Sequence, residues 1–144
     1  MNAINALFGY VVAGRRLDHE AETRQMQGWL GEQTPNDLVI SDWVAAEFSA
    51  ALSIKLRTGA IEAAHRAETL TMFAGLCNDN FTVLPVSRLQ FRIAARFADQ
   101  YTLGLRAGDA LHLAVCADYG ATICTIDRRL SGAASALGVK TALL

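Results

Sequence analysis

The chain has 144 residues, of which 52% are apolar, and carries a formal net charge of −1. A chain of this length fits a single domain with a sizeable buried core. A nearly neutral charge excludes a protein that binds nucleic acid through bulk positive charge, so a polyanionic substrate would have to be held locally, by metal ions or a few arginines.

Cysteine use and hydropathy predict a cytoplasmic protein. The three cysteines are odd in number, form no CxxC pair and lie in apolar surroundings, as free thiols in a reducing compartment do. No apolar run reaches the roughly 18 residues that a membrane span needs, and the start of the chain lacks a secretory signal. We expect one domain over residues 1–144, without disulfides and without a membrane partner.

The N-terminal part predicts a strand followed by a surface helix. Residues 3–12 are apolar with a β-rich end, which predicts a buried first strand that runs into a helix. Between Leu17 and Gln33 several apolar side chains share one face and most charged ones point elsewhere, which is typical of a surface helix. The sequence TPN at 34–36 ends it.

A second strand then leads directly into an apolar helix. The run DLVIS at 37–41 is too short for a helix, and Ser41 stands in an N-cap position. Residues 42–58 are nearly all apolar, and Gly59 follows as the residue that ends the helix. We expect this helix to be buried on most sides, with Glu47 as the only acid in its middle.

Two helices and a strand are predicted next. Residues 60–77 are helical, the NDN at 78–80 turns the chain, and 81–86 predict a strand. Ser87 caps a helix over about 88–102. One stripe of this helix is apolar and suits packing: Leu89, Ile93 and Phe97. A second stripe is basic and typical of a solvated face, with RNA phosphates as the alternative partner: Arg88, Arg92 and Arg96.

The C-terminal part continues the alternation. A helix starts near Asp109 and ends at Gly120, residues 121–126 predict a strand, 128–138 a short helix, and 139–144 an edge strand or tail. Because strands alternate with helices throughout, we expect right-handed βαβ units. The fold class is therefore α/β, with a mainly parallel sheet covered on both faces.

Three acids are expected at one edge of this sheet. Asp127 ends a strand, Asp109 starts a neighbouring helix, and Glu47 lies in the helix that follows the second strand. Ligands bind outside the carboxyl ends of parallel strands. Carboxylates gathered there repel one another unless a cation lies between them, and their hard oxygens suit Mg²⁺ or Mn²⁺. Such a site predicts phosphodiester hydrolysis by a metal-activated water.

Each acid also has a purely structural interpretation. Asp109 fits a helix cap, and Asp127, which precedes two arginines, fits an N-cap with a local ion pair. Glu47 is harder to explain in this way, because a lone carboxylate on an apolar helix needs a partner or a function. His112, one turn after Asp109, is interpreted as a packed or hydrogen-bonded residue rather than a ligand.

Three stretches resemble the motifs of a known family. They are ISDWVAAEFSAAL at 40–52, RAGDALHLAVCADYGA at 106–121 and CTIDRRL at 124–130. In order and spacing they are similar to the three downstream motifs of PIN-domain proteins, in particular the VapC-type toxins of bacterial toxin–antitoxin pairs. The resemblance implies an α/β/α sandwich around a central parallel sheet. It also implies an endoribonuclease that depends on Mg²⁺ or Mn²⁺.

The resemblance assigns roles residue by residue. Glu47, Asp109 and Asp127 match the acidic residues that hold the metal and carry catalysis. Thr125 matches the hydroxyl residue two positions before the last acid, which contacts a metal ligand or the substrate. The partners implied are an RNA substrate, a small VapB-like antitoxin whose C-terminal segment lies over the acidic cleft, and a second copy in a homodimer.

The N-terminus departs from the family pattern. The family's first strand ends in an Asp, usually followed two residues later by Ser, Thr or Asn. The best register places Asn5 and Leu7 at these positions. Asn5 retains a carbonyl oxygen for the metal, but the lost charge weakens Mg²⁺ binding. Two alternatives account for the poor fit of residues 1–18: an altered start or reading frame, or a point substitution.

Two alternative functions follow from the same pattern. A PIN fold without the first Asp could serve as a catalytically impaired module that binds an antitoxin-like protein or RNA. A receiver or nucleotide-binding domain shares the alternation of strands and helices. That class needs a Gly-rich phosphate loop, or a phosphoacceptor Asp with a partnering Lys, and neither is found in the sequence.

Overall fold

The computed structural model describes residues 2–4, 28–29, 31–34 and 37–144. Over this part of the chain, five strands form one sheet in which every neighbouring pair is parallel, in the order β3-β2-β1-β4-β5. The strands are β1 (Asn2–Ile4), β2 (Leu38–Ser41), β3 (Thr82–Leu84), β4 (Thr122–Thr125) and β5 (Thr141–Leu143). The strand order reverses direction at the central β1, so the crevice where ligands bind in such sheets lies beside it.

In the described part of the chain, five helices connect the strands from β2 onwards. They are α1 (Asp42–Arg57), α2 (Ala63–Asn80), α3 (Arg88–Ala98), α4 (Ala107–Tyr119) and α5 (Arg128–Ala136), with a 3₁₀ turn at Tyr101–Leu103. The predicted α/β fold with its parallel sheet is confirmed. Among the described residues, no helix is both long enough and apolar enough to cross a bilayer.

The core lies on both faces of the sheet. Val39, Leu113 and Ile123 are fully enclosed on the face covered by α4 and α5. Leu38 and Ile40, the alternate side chains of β2, pack on the opposite face with Val44 of α1. Full burial of each such aliphatic side chain contributes about 1.5–3 kcal/mol. Every residue of α4 from 110 to 116 is buried, so this helix is the most firmly held element around the crevice.

Helix α1 differs from the prediction. It buries one face only, formed by Val44, Phe48, Ala51 and Leu52. Ile54 is 50% exposed, so the expectation of burial on most sides is wrong. The reason is that α1 packs on β2 and on α2, where the rings of Phe48 and Phe73 stack, rather than between two layers.

Helices α2 and α3 also correct the sequence interpretation. The NDN at 78–80 is helical rather than a turn, because the backbone N–H of Phe81 still donates to Cys77 O. In α3, which ends at Ala98 rather than 102, Leu89 is exposed, whereas Gln90 is fully buried. The buried amide of Gln90 has hydrogen-bond partners: it accepts from the N–H of Ser87 and donates to the carboxylate of Asp118.

Several predicted features are confirmed. Ser87 and Gln90 form a capping box at the start of α3, and Gly120 ends α4 at φ +65°. The three cysteines are free. Burial raises the pKa of Cys116 to about 12 and that of Cys124 to about 11, so both pack as neutral thiols. Most of the predicted first strand and of the predicted helix over 17–33 lies outside the described residues, and β1 (Asn2–Ile4) overlaps the first residues of the predicted strand.

Candidate active site

Glu47 belongs to α1, and its carboxylate lies against the N-terminal part of α4. Its Oε2 is 2.7 Å from Nε2 of His112, which is buried, while the Glu47 side chain is 25% exposed. An ionised carboxylate only accepts hydrogen bonds, so Nε2 of His112 carries the hydrogen and donates it. This confirms that His112 is hydrogen-bonded. It also supplies the partner that the sequence required for a carboxylate on an apolar helix.

The second oxygen of Glu47 faces a glycine. A Cβ at Gly108 would overlap Oε1 of Glu47 and lie 3.5 Å from Nε1 of Trp43. Trp43 and Glu47 are one turn apart on α1, so their side chains project from the same face of the helix. Neither Trp43 nor Gly108 was predicted from the sequence as part of the site. Their only signals were a tryptophan one turn before the acid and a glycine directly before Asp109.

Asp109 and Asp127 share one cation, the guanidinium of Arg129. Nη2 of Arg129 lies 3.3 Å from Oδ2 of Asp109 and 3.7 Å from Oδ2 of Asp127. Its Nη1 donates to the carbonyl of Gly104 at 3.1 Å, and the Arg129 side chain is 49% exposed. Two carboxylates from different elements therefore meet at one point, and a positive charge occupies it. The local ion pair predicted for Asp127 is confirmed.

Asp127 also has a structural role. Its Oδ1 accepts from the N–H groups of Arg129 and Leu130, which makes it the N-cap of α5 as predicted. The backbone N–H of Asp127 donates to Oγ1 of Thr125 at 3.1 Å, and Thr125 is only 2% exposed. Thr125 thus fixes the turn that leads from β4 to Asp127. Asp109, in the first turn of α4, accepts weakly from the N–H of Arg106 at 3.4 Å.

The predicted acids are thus arranged as two units at one end of α4. The inner unit is Glu47 with His112, and the outer unit is Asp109 and Asp127 with Arg129. Within residues 28–29, 31–34 and 37–144, no group of three His, Cys, Asp or Glu side chains is arranged to hold a metal ion. Asn5, the fourth predicted ligand, and Leu7 lie outside the described residues.

The two carboxylates that meet in the outer unit are of the donor type that a hard divalent cation prefers. They already flank a positive charge. Two buried polar atoms close to the end of β2 have no hydrogen-bond partner among the described residues: Oγ of Ser41, which can offer lone pairs, and Nε1–H of Trp43, which can only donate. Ser41 ends β2 and Trp43 lies in the first turn of α1, one turn before Glu47.

A family model for the PIN domain matches residues 5–135. The chain belongs to the PIN domain family. PIN domains are generally nucleases, and the family prediction made from the three motifs is confirmed. A search among curated proteins found no significant match.

Solved structures share this fold at low sequence identity. The FitAcB crystal structure from Neisseria gonorrhoeae has 15% identity and a TM-score of 0.60, with 98% of this chain and 96% of that chain covered. PAE2754 from Pyrobaculum aerophilum has 20% identity and a TM-score of 0.62, with 97% and 82% covered. VapBC2 from Rickettsia felis, bound to a DNA fragment from their promoter, has 11% identity and a TM-score of 0.62, with 100% and 99% covered.

Proposed function

We propose that this PIN-domain chain is a Mg²⁺- or Mn²⁺-dependent endoribonuclease and the toxin of a VapBC-type toxin–antitoxin pair. The observation that carries the proposal is the meeting of Asp109 and Asp127 on a shared cation, with Glu47 held at the same end of α4. The family of the chain supports a nuclease. The similarity of the fold to FitAcB and VapBC2 supports the toxin–antitoxin context.

Each residue has a distinct part in this function. Asp109 and Asp127 would bind the cation in place of the guanidinium of Arg129, and Glu47 would offer its carboxylate beside them. A bound Mg²⁺ or Mn²⁺ supplies activation of water and stabilisation of negative charge on the phosphate. Oγ1 of Thr125 accepts from the backbone N–H of Asp127 and so keeps Asp127 in place. Asn5 would contribute a neutral oxygen as a further ligand.

The biological setting belongs to the same proposal. The substrate is RNA, the protein partner is a VapB-like antitoxin, the toxin forms a homodimer, and the protein acts in the cytoplasm. Free buried thiols support a reducing compartment. An antitoxin segment over the cleft would place an Arg or Lys near the acids. The contact of Arg129 with Asp109 supports this, because it shows that a guanidinium is accommodated there.

The experiment compares the wild type with Asp109→Asn. We expect the wild type to bind Mn²⁺, as measured by calorimetry, and to cleave RNA. We expect Asp109→Asn to lower both Mn²⁺ affinity and the rate of RNA cleavage. The decrease should exceed the roughly 10- to 100-fold typical of groups that only support a metal ligand. Asp79→Asn, an exposed acid on α2, is the matched control. A wild type that cleaves no RNA with Mn²⁺, together with unchanged Mn²⁺ binding by Asp109→Asn, contradicts the proposal.

Asn5 motivates a second candidate, a catalytically impaired PIN module that binds an antitoxin-like protein or RNA. The variant Asn5→Asp separates the two. A wild type that binds its antitoxin but cleaves RNA only after this substitution supports the impaired module. Cleavage by the wild type that Asn5→Asp changes little supports the enzyme. The measurement is the initial rate of RNA cleavage at saturating Mn²⁺.

A further inference from the structure

The carboxylate of Glu47 is confined on two sides. Oε2 accepts from the buried His112 at 2.7 Å, and Oε1 lies against Gly108. Both neighbours belong to α4, whose residues from 110 to 116 are all buried. The helix that confines the carboxylate therefore cannot easily move away. Glu47 itself stands on α1 next to Phe48, which is buried at the α2 contact.

His112 restricts the orientation of the carboxylate. A glutamate side chain has several rotatable bonds and loses conformational entropy when it is ordered. The hydrogen bond from His112 orders it during folding, before any ligand arrives. A ligand group that is already in place binds without this ordering cost, which is the general advantage of preorganisation.

Gly108 provides the space that this orientation needs. The φ of Gly108 is not positive, so the freedom of glycine to adopt a left-handed backbone is not the reason for a glycine here. Alanine is the better helix former at an ordinary helical position. What alanine lacks at 108 is room, because its Cβ would overlap Oε1 of Glu47. Since Oε2 is tied to His112, the carboxylate could move away only by losing that hydrogen bond.

We propose that His112 and Gly108 are positioning residues that hold the Glu47 carboxylate against the first turn of α4, beside Asp109. The inference rests on the proposed function, because the position of Glu47 matters there for cation binding. Neither residue needs to touch the cation or the RNA. His112 acts by donating a hydrogen bond, and Gly108 acts by having no side chain.

The first test compares two substitutions of His112. His112→Gln keeps an N–H donor, whereas His112→Leu keeps the bulk and removes the donor. We expect His112→Leu to weaken Mn²⁺ binding roughly tenfold, the lower end for groups that orient a ligand. His112→Gln should recover most of this loss. Equal Mn²⁺ affinity in all three proteins, or equal losses in both variants, overturns the role of His112.

A Glu47→Gln background shows whether His112 acts through Glu47. We expect His112→Leu to cause no further loss of Mn²⁺ affinity once Glu47→Gln is present. A purely structural role of His112 predicts the same additional loss in both backgrounds, and that result contradicts the proposal. Thermal unfolding of each variant is followed in parallel, so that loss of the fold is separated from loss of positioning.

The second test adds a single methyl group at 108. We expect Gly108→Ala to weaken Mn²⁺ binding roughly tenfold, as for the loss of a group that orients a ligand, without loss of the fold. Gly132→Ala is the matched control, because Gly132 is also helical and nothing lies within 4 Å of its Cβ position. The control should bind Mn²⁺ as the wild type does. Unchanged Mn²⁺ affinity in Gly108→Ala overturns the role of Gly108.

A crystal structure of Gly108→Ala without metal separates this inference from the proposed function. If the wild type binds no Mn²⁺, the metal-dependent nuclease fails, and this crystal structure replaces the affinity comparisons as the test of positioning. A Glu47 carboxylate that has left His112 then still supports the positioning role. A carboxylate that stays in its wild-type position, with α4 unmoved, overturns the positioning role even if the wild type is an active nuclease.

Discussion

The inner and outer units lie at the same end of α4 but are held in different ways. Glu47 accepts a hydrogen bond of 2.7 Å from a buried histidine, whereas Asp109 faces the half-exposed Arg129 at 3.3 Å. An exposed ion pair of this kind contributes about 0–1 kcal/mol, because solvent and salt compete with it. The inner carboxylate is thus preset by packing. The outer pair holds the guanidinium of Arg129, and under the proposed function a metal ion takes its place.

The largest expected effect comes from Asp127, which caps α5 and belongs to the outer unit. Asp127→Asn keeps a good N-cap residue and removes the charge. We expect wild-type thermal stability and a loss of RNA cleavage beyond the roughly 10- to 100-fold seen for supporting groups. Asp127→Ala should show the same loss of cleavage and also cost about 0.5–2 kcal/mol of stability. Equal activity of Asp127→Asn and wild type would remove Asp127 from the metal site.

Thr125 tests whether the outer unit depends on buried support, as the inner unit does. In Thr125→Val the N–H of Asp127 loses its acceptor at a site where Thr125 is 2% exposed. Leaving such a group unsatisfied costs about 1–3 kcal/mol. Urea unfolding should show this decrease in the free energy of unfolding, and Thr125→Ser should restore most of it. Full stability of the valine variant would show that the hydroxyl is dispensable.

Arg129 tests whether the outer cation competes with metal. We expect Arg129→Gln to bind Mn²⁺ roughly 1.4- to 5-fold more tightly, which corresponds to an exposed ion pair of about 0.2–1 kcal/mol. Arg128→Gln removes the same charge from the neighbouring exposed position, for which no contact to Asp109 or Asp127 is seen among the described residues. If both variants change Mn²⁺ affinity equally, general charge rather than the contact is responsible.

Salt should produce the smallest effect and should act on one unit only. Exposed charges are screened over a Debye length of about 10 Å at 0.1 M salt and about 3 Å at 1 M. We expect the difference in Mn²⁺ affinity between Arg129→Gln and wild type to shrink as NaCl rises. The ratio of the Mn²⁺ affinities of His112→Leu and His112→Gln should change little as NaCl rises. A parallel decline of both differences would show that the two units are equally exposed.

Local signals predicted much of the fold and named the acids of the candidate site. The DLVIS run, the Ser87 cap and Gly120 each act through their own neighbours in sequence, and each was placed correctly. The errors concern which face of a helix is covered. Leu89 was expected to pack, but Gln90 is buried instead, since Asp118 on α4 satisfies its amide. The hydrophobic periodicity of α3 does not predict which of its residues contacts another helix.

The sequence by itself determined the alternation of strands and helices, the PIN motifs and the three acids. It did so because hydrophobic periodicity, caps and turn residues act over a few positions. Only the tertiary structure decided what each acid contacts. Glu47 meets His112 across 65 positions of sequence, and Asp109 meets Arg129 across 20, through the packing of separate elements. The missing side chain of Gly108 acquires its meaning only when α1 brings Glu47 against it.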